Sequence, residues 1–338
     1  MPQASADIDI RRYQPSDAAA WNAFVSSSAN GTFLFNRGYM DYHAHRFEDH
    51  SLLFHRGGKL VALLAAHREA EQLISHGGLS YGGVIVAEPL GAASMLSLIQ
   101  TLQTQLTELG VASLIYKAIP HIYHRKPCEA DLYALFRCGA QLSRRDVLSA
   151  IGPTPAHWSA AGRRQVTGAK RAAVDFELLT CARLDQSADG AAADWARFWA
   201  LLGSELQTRH ASAPVHSLSE ILALAAAFPE NIRLEVARRG DEILAGMVLF
   251  ETATALHVQY MAASPVARRC AALDLLAERA IERAQAQGKW FDFGHSNQDQ
   301  GRVLNDGLAF YKESHGASAV MQDHYLLPRR CPGTSLTD

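Results

Sequence analysis

The sequence predicts a mixed α/β (α+β) fold built twice along one chain, each copy a mixed sheet flanked by helices. Three observations carry that prediction. Strand-like and helical runs follow one another in the same order in both halves, the correspondence being by element and not by identity. The opening strands of each half are joined across a glycine-containing turn, Gly57-Gly58 in one and Arg239-Gly240-Asp241-Glu242 in the other. Each half then sets a long helical run between two strands, the pattern of a crossover connection. With 338 residues, 48% of them apolar, the chain is long enough for two domains with their own cores.

In the first half, helical stretches run over Asp17–Ser27 and around Gly38–His45. The strands SLLFHR and KLVALLAAH flank Gly57-Gly58, and the glycine-rich run LISHGGLSYGGVIV supplies the next strand region. Ala92–Leu109 is the crossover helix, SLIYKAI the next strand, Glu129–Arg137 a short helix and QLSRRDVLSA the closing strand. A join with two prolines and a basic helical stretch, GPTPAHWSAAGRRQVTGAKRAA, follows. The expected division is a first domain over 1–152, a linker over 153–174 and a second domain over 175–338.

The second half opens with helices at Trp195–Leu206 and Ser219–Phe228. RLEVAR, ILAGMVLFE and ALHVQYMAA form a meander. Leu273, Leu276, Ala277, Ala280, Ile281 and Ala284 recur at helical spacing and stop before Gly288, a residue suited to a left-handed helix end. A strand starting at Trp290, a short helix over Leu308–Glu313 and the strand AVMQDHYLL close the set. The two copies are expected to face each other across a groove.

Bulk properties exclude several classes. A formal charge of -2 exerts no global pull on nucleic acid, although Arg163–Arg171 is locally basic. The five cysteines are odd in number and widely spaced with no C-x-x-C pair, so neither a disulfide framework nor a thiolate zinc site is indicated. Many histidines crowd the first half, but no H-E-x-x-H set occurs and no metal is expected. No G-x-S-x-G elbow marks a serine nucleophile. An amino-terminus carrying acids in place of an apolar core, and no apolar run of spanning length, point to a soluble cytoplasmic protein.

The most informative stretch is KWFDFGHSNQDQGRVLNDGLAFYKESHG, from Lys289 to Gly316. Alternation puts Trp290, Asp292 and Gly294 on one face of a strand and Phe291 and Phe293 on the other, so Asp292 sits where solvent is scarce and needs a partner or a purpose. It could serve as a base, orient a cation such as Lys312, or form a structural ion pair. His295, on the following loop, is a second candidate base. His210 and His216 flank Pro214 in a loop suited to lining a cleft. In the first half Tyr81-Gly82-Gly83 with Lys117, His121, Tyr123, His124 and Arg125 form a cation-rich set fit for phosphate or sugar hydroxyls. Arg144, Arg145 and Asp146 either join that set or pair among themselves.

These patterns resemble the tandem GNAT fold of the Fem family of aminoacyltransferases and their acyltransferase relatives. The resemblance rests on FDFG at Phe291–Gly294, the loop with Gly301 and Leu304-Asn305-Asp306-Gly307-Leu308, and Lys312–Gly316, where Tyr311 replaces the phenylalanine of the family's F-K-x-x-x-G pattern. Val258-Gln259-Tyr260, Arg209-His210 through His216, NGTFLFNRGYMDYH, SHGGLSYGG and YKAIPHIYHRKP extend it over nearly the whole chain. It implies acyl or aminoacyl transfer from acyl-CoA or aminoacyl-tRNA to an amine of a sugar-linked cell-envelope precursor. It also implies that Lys312 steadies the tetrahedral intermediate or the acceptor's phosphate, and that Gln259, Tyr260 and Asn305 lie near the site. One departure stands out. Where acyl-CoA users place a glycine-containing turn for the diphosphate, this chain has Ser264-Pro265-Val266-Ala267-Arg268-Arg269-Cys270-Ala271, with arginines but no glycine. A non-catalytic module that binds a glycan precursor or a protein on the same scaffold is the rival reading.

Overall fold

A computed structural model describes residues 8–154, 162, 167, 168, 177–180 and 189–330. Most of the basic stretch Arg163–Arg171, Cys181, Cys331 and the side chain of His210 lie outside the described residues. The chain divides into two compact units: one holds the chain up to Asp146 with Gln300–Arg302 and the stretch from Met321, the other Val147–Asp299 with Val303–Val320.

In the first unit, β1 (Ile8–Arg12), β2 (Leu52–Arg56), β3 (Lys59–Leu64) and, further on, Val84–Val86 form a four-stranded antiparallel sheet. The expected hairpin at Gly57-Gly58 is there, both glycines having positive φ. The glycine-rich run is not one strand region. It splits into β4 (Gln72–Ile74), parallel to β6 (Ser113–Lys117), and β5 (Val84–Val86), which pairs with β3. Backbone geometry forces the split: His76 and Gly83 have φ of 42° and 86°, and a Cβ on Gly82 would lie 2.3 Å from the Ser75 carbonyl oxygen. Helices α1 (Ala18–Ser27) and the short α2 (Arg37–Met40) precede β2. Between β5 and β6 runs α3 (Ala92–Glu108), whose Leu98, Ile99, Leu102 and Leu106 are fully buried against Phe54, Leu64 and Leu114. Next come α4 (Ala130–Arg137) and the long β7 (Gln141–Ile151), which passes from the first unit into the second.

After the end of β7 the second unit holds β8 (Glu177–Thr180), a strand the sequence does not announce, paired with β9 (Ile232–Arg239). Helices α5 (Asp189–His210) and α6 (Leu218–Ala227) lie between them in the chain. Ser217 and Glu220 close a reciprocal capping box at α6, worth about 1 kcal/mol. The meander then appears as read: β9, β10 (Glu242–Glu251) and β11 (Ala255–Ala263) are successive antiparallel neighbours, with Gly240 at φ 55° in the first turn. The segment expected as a plain turn is a short helix, α7 (Pro265–Cys270), because Pro265 suits the first helical position and Ser264 caps Ala267 N at 3.2 Å. The crossover helix α8 (Ala272–Ala286) ends where expected, with Gly288 at φ 67°. It brings the chain to β12 (Trp290–His295), parallel to β11. Helix α9 (Asp306–Ser314) and β13 (Ser318–Pro328) complete the chain. The sheet order in this unit is β8, β9, β10, β11, β12 and the end of β7. No helix among the described residues is long and apolar enough to cross a membrane.

Candidate active site

Alternation along β12 works as the composition suggests. Phe291 and Phe293 join the apolar core against Leu276, Ala280 and Ile281 of α8, so Asp292 turns to the opposite face. The parallel pairing of β11 and β12 runs from Ala255↔Trp290 to His257↔Asp292 and stops there. Both strands change register at this point. Gln259 is the extra residue in β11, between the pairs Leu249↔Val258 and Val248↔Tyr260, and β12 shifts against β7 between Asp292 and His295, where Gly294 has φ 76°. The bulge in β11 swaps faces, so Tyr260 falls on the same face as His257 instead of the opposite one. Plain alternation had no means of showing this.

Asp292 is fully buried, and its two oxygens have distinct partners. Oδ2 lies 2.9 Å from His257 Nδ1, and Oδ1 accepts from Gly294 N at 2.7 Å. Sequence reading passed over His257, whose partner lies 35 residues away and meets it only through parallel pairing. Lys312, on α9 and 2% exposed, donates from Nζ to the carbonyl oxygens of Gly294 at 2.9 Å and His295 at 2.7 Å. Burial lowers its pKa to about 8, and the negative charge of Asp292 works against that fall. Two of the three ammonium protons are thereby directed at backbone oxygens. The His295 ring is exposed, and its backbone carbonyl is the part that meets Lys312.

The loop after β12 is anchored on its own unit. Ser296 Oγ lies 2.9 Å from Ser149 Oγ, and Asn297 Oδ1 accepts from Val147 N at 2.7 Å. Asn305 caps α9 by accepting from Leu308 N at 3.0 Å. It also lines a cavity of about 680 Å³ bounded by Leu206 of α5, Met261 and Ala263 of β11, and Leu308 and Tyr311 of α9. Tyr260 packs on Trp199 with ring centroids 5.2 Å apart, and its Oη lies 2.6 Å from His216 Nδ1. Burial raises the Tyr260 pKa, against hydrogen bonds to its hydroxyl from His216 N and Gln259.

In the first unit the candidate residues are mostly committed to the fold. Lys117 donates to the carbonyl oxygens of His76, at 2.6 Å, and Leu79, clasping the glycine-rich loop, and burial lowers its pKa to about 7. Tyr81 Oη donates to Thr32 Oγ1 at 2.9 Å, and its ring lies 4.5 Å from that of Tyr123. The His124 ring is 3.1 Å from the Ile119 carbonyl oxygen, and burial lowers its pKa to about 4. Of this set His121 and Arg125 are exposed. Arg144 pairs with Asp146 at 2.8 Å, as one reading of the sequence had it, whereas Arg145 pairs with Asp323 at 2.7 Å, a residue outside that trio.

The entry to α8 bears on the donor. A helix amino-terminus binds phosphate through free N–H groups and a favourable dipole. Here Ala271 takes a left-handed conformation between α7 and α8, and Asp274 places a buried carboxylate in the first turn. That carboxylate, 3.2 Å from His315 Nε2, already supplies negative charge at the helix end and takes the place a diphosphate would compete for. Arg268 is held by Glu205 at 2.7 Å and by the Ala263 carbonyl oxygen at 2.6 Å. These residues do not fit the diphosphate of coenzyme A at α8.

Residues 160–312 match the model of the acetyltransferase (GNAT) domain. That match marks the second half of the chain as similar to a GNAT acetyltransferase domain, and the mixed α/β architecture agrees with it. The fold of the chain is that of FemX, with a TM-score of 0.64 and 10% identity over 95% of this chain and 97% of that one. It is similar also to the C-terminal DUF2156 domain of a protein from Agrobacterium fabrum designated a lysylphosphatidylglycerol synthetase, with 12% identity, 94% and 93% coverage and a TM-score of 0.58. L-PGS from Bacillus licheniformis gives the same TM-score of 0.58, with 12% identity and 94% and 92% coverage. No curated protein sequence matches the chain.

Proposed function

We propose that this protein transfers an aminoacyl group from an aminoacyl-tRNA to an amine of a sugar-linked cell-envelope precursor. The observation that carries this reading is Lys312: a buried ammonium fixed by two carbonyls where β11 and β12 end their pairing. Attack of an amine on an ester carbonyl builds negative charge on the carbonyl oxygen, and a preorganised cation in a dry site stabilises that charge more than water does. At neutral pH Lys312, with a pKa of about 8, remains mostly charged and so able to donate its third proton.

An aminoacyl ester is favoured over acyl-CoA because Asp274 occupies the helix end where a diphosphate would lie. The neighbouring cavity of about 680 Å³ exceeds what an acetyl group needs. The likeness to FemX and to the lysylphosphatidylglycerol synthetase supports an aminoacyl donor and an acceptor of the cell envelope. Lys312, Asp292, Gln259, Tyr260 and Asn305 form the proposed transfer site. In the first unit the exposed His121 is the proposed acceptor contact, while Lys117, Tyr81 and His124 are committed to the fold.

The test is a transfer assay with radiolabelled alanyl-, glycyl-, seryl- and lysyl-tRNA and, in parallel, acetyl-CoA, each offered UDP-linked amino sugars and muropeptides. Label passing from a charged tRNA, abolished by ribonuclease and weakened by salt, supports the reading. Transfer from acetyl-CoA alone overturns the donor assignment.

A further inference from the structure

We infer that His257 is the general base of this acyl transfer and that Asp292 is its positioning residue; the inference rests on the transferase reading above. His257 stands opposite Asp292 in the last residue pair before β11 and β12 cease to pair. A neutral imidazole carries one N–H, and a carboxylate oxygen only accepts, so the 2.9 Å contact places the proton on Nδ1 and leaves a lone pair on Nε2. Among the described residues nothing hydrogen-bonds Nε2, and the side chain is 17% exposed, against 1% for Asp292. A fully buried carboxylate that accepts from both the ring and Gly294 N has little freedom to rotate. It therefore fixes the tautomer and direction of the imidazole, as the acid does in other histidine–carboxylate pairs.

The chemistry closes without a further reactant. The acceptor's amine nitrogen bonds to the ester carbonyl carbon, and Nε2 takes the proton that nitrogen must lose. The tetrahedral intermediate collapses, its bond to the donor's ribose oxygen breaks, and the imidazolium returns the proton to that oxygen. The amide product and the free hydroxyl together contain every atom of the two substrates, and His257 ends neutral. Asp292 stays ionised throughout, which separates its role from the direct one the sequence left open for it.

The experiment combines transfer and chemical modification on the full chain. His257→Ala should lower kcat by on the order of 10²–10⁴-fold with the melting temperature retained, and added imidazole should restore part of the rate. His257→Gln, closer in shape, guards against a folding defect and should lose as much. Diethyl pyrocarbonate, mapped by mass spectrometry, should label His257 in the wild type and label it more slowly in Asp292→Asn, where the tautomer is no longer imposed. Wild-type transfer matched within threefold by both His257 variants overturns the base and leaves the transferase reading intact, as does an active protein whose His257 resists the reagent. A wild type that transfers from no donor sinks the transferase reading, and the base falls with it, even if His257 is labelled.

Discussion

Lys312 and Asp292 grip one residue, Gly294, from its two ends: the carboxylate accepts from its N–H at 2.7 Å and the ammonium donates to its carbonyl oxygen at 2.9 Å. A bulged glycine at the end of a strand is thereby held in one conformation by two opposite charges. That arrangement couples the electrostatics of the site to its backbone geometry, and it determines what each substitution there should do.

Lys312→Met should separate activity from stability. Burial holds the Lys312 pKa at about 8, below its ordinary 10.5, so the charged form is disfavoured in the folded protein. The unfolded chain binds more protons between those values. Wild-type stability should therefore rise with pH through about 8 to 10.5, by up to about 3 kcal/mol, and the methionine variant should not follow. Near pH 7 the variant is relieved of a buried charge but loses two hydrogen bonds to backbone carbonyls, terms of similar size and opposite sign. The expectation is a melting temperature within a few degrees of wild type and transfer reduced by about 10²-fold or more. Parallel melts at pH 7 and pH 9.5 check the sign.

Gly294→Ala should weaken both fold and site. A left-handed φ of 76° disfavours any residue with a Cβ, and that Cβ would come within 3.3 Å of His257 Cε1. Together these should cost about 1–3 kcal/mol, read as a lower denaturant midpoint with an unchanged slope. Because the displaced atom belongs to the His257 ring, the fall in kcat should exceed what the loss of stability explains.

How far the sequence disclosed these relationships depends on range. The hairpin at Gly240 and the end of α8 at Gly288 were legible because a turn residue and a periodicity of 3.6 act within a few positions. The burial of Asp292 was legible for the same reason: period two places it opposite two phenylalanines. His257 was not, since ALHVQYMAA reads as a half-buried strand and nothing local announces that its histidine will meet an acid on a parallel neighbour. The bulge at Gln259 hides for a related cause, since an extra residue leaves no mark on composition. In the first unit, Lys117 and His124 looked like ligand groups because both are polar and lie beside glycine or aromatic residues. Their partners are carbonyls, and carbonyls are invisible in a list of side chains.

Acid should loosen the first unit. Burial lowers the pKa of His76 to about 3, and of His124 and His324 to about 4, so all three stay neutral in the fold while the unfolded chain begins to protonate them near 6.5. More protons bound by the unfolded state means stability that falls as pH drops from about 6.5 toward 4, by up to about 1.4 kcal/mol per pH unit for each group. Asp131 opposes the trend, because burial raises its pKa to about 6 and favours its neutral form in the fold, where its carboxyl meets Tyr116 Oη at 2.6 Å. Three groups against one leaves net acid destabilisation. Hydrogen exchange at pH 5 against pH 7 should show protection lost in β4, β6 and α4, and His324→Phe should recover part of it.

Filling the cavity should stop donor binding without harming the fold. Leu308 lies on the cavity-facing side of α9, is half-buried, and follows a helix start fixed by the Asn305 cap at 3.0 Å. Leu308→Trp adds bulk into open volume instead of into packed core, so the overpacking cost of about 1–3 kcal/mol met in filled cores should be largely avoided. If the cavity of about 680 Å³ receives the acyl end of the donor, KM for the donor should rise at least tenfold while the acceptor's KM stays put. An unchanged donor KM, with the tryptophan shown by fluorescence to be shielded from solvent, would place the donor elsewhere on the second unit and remove the cavity from the site.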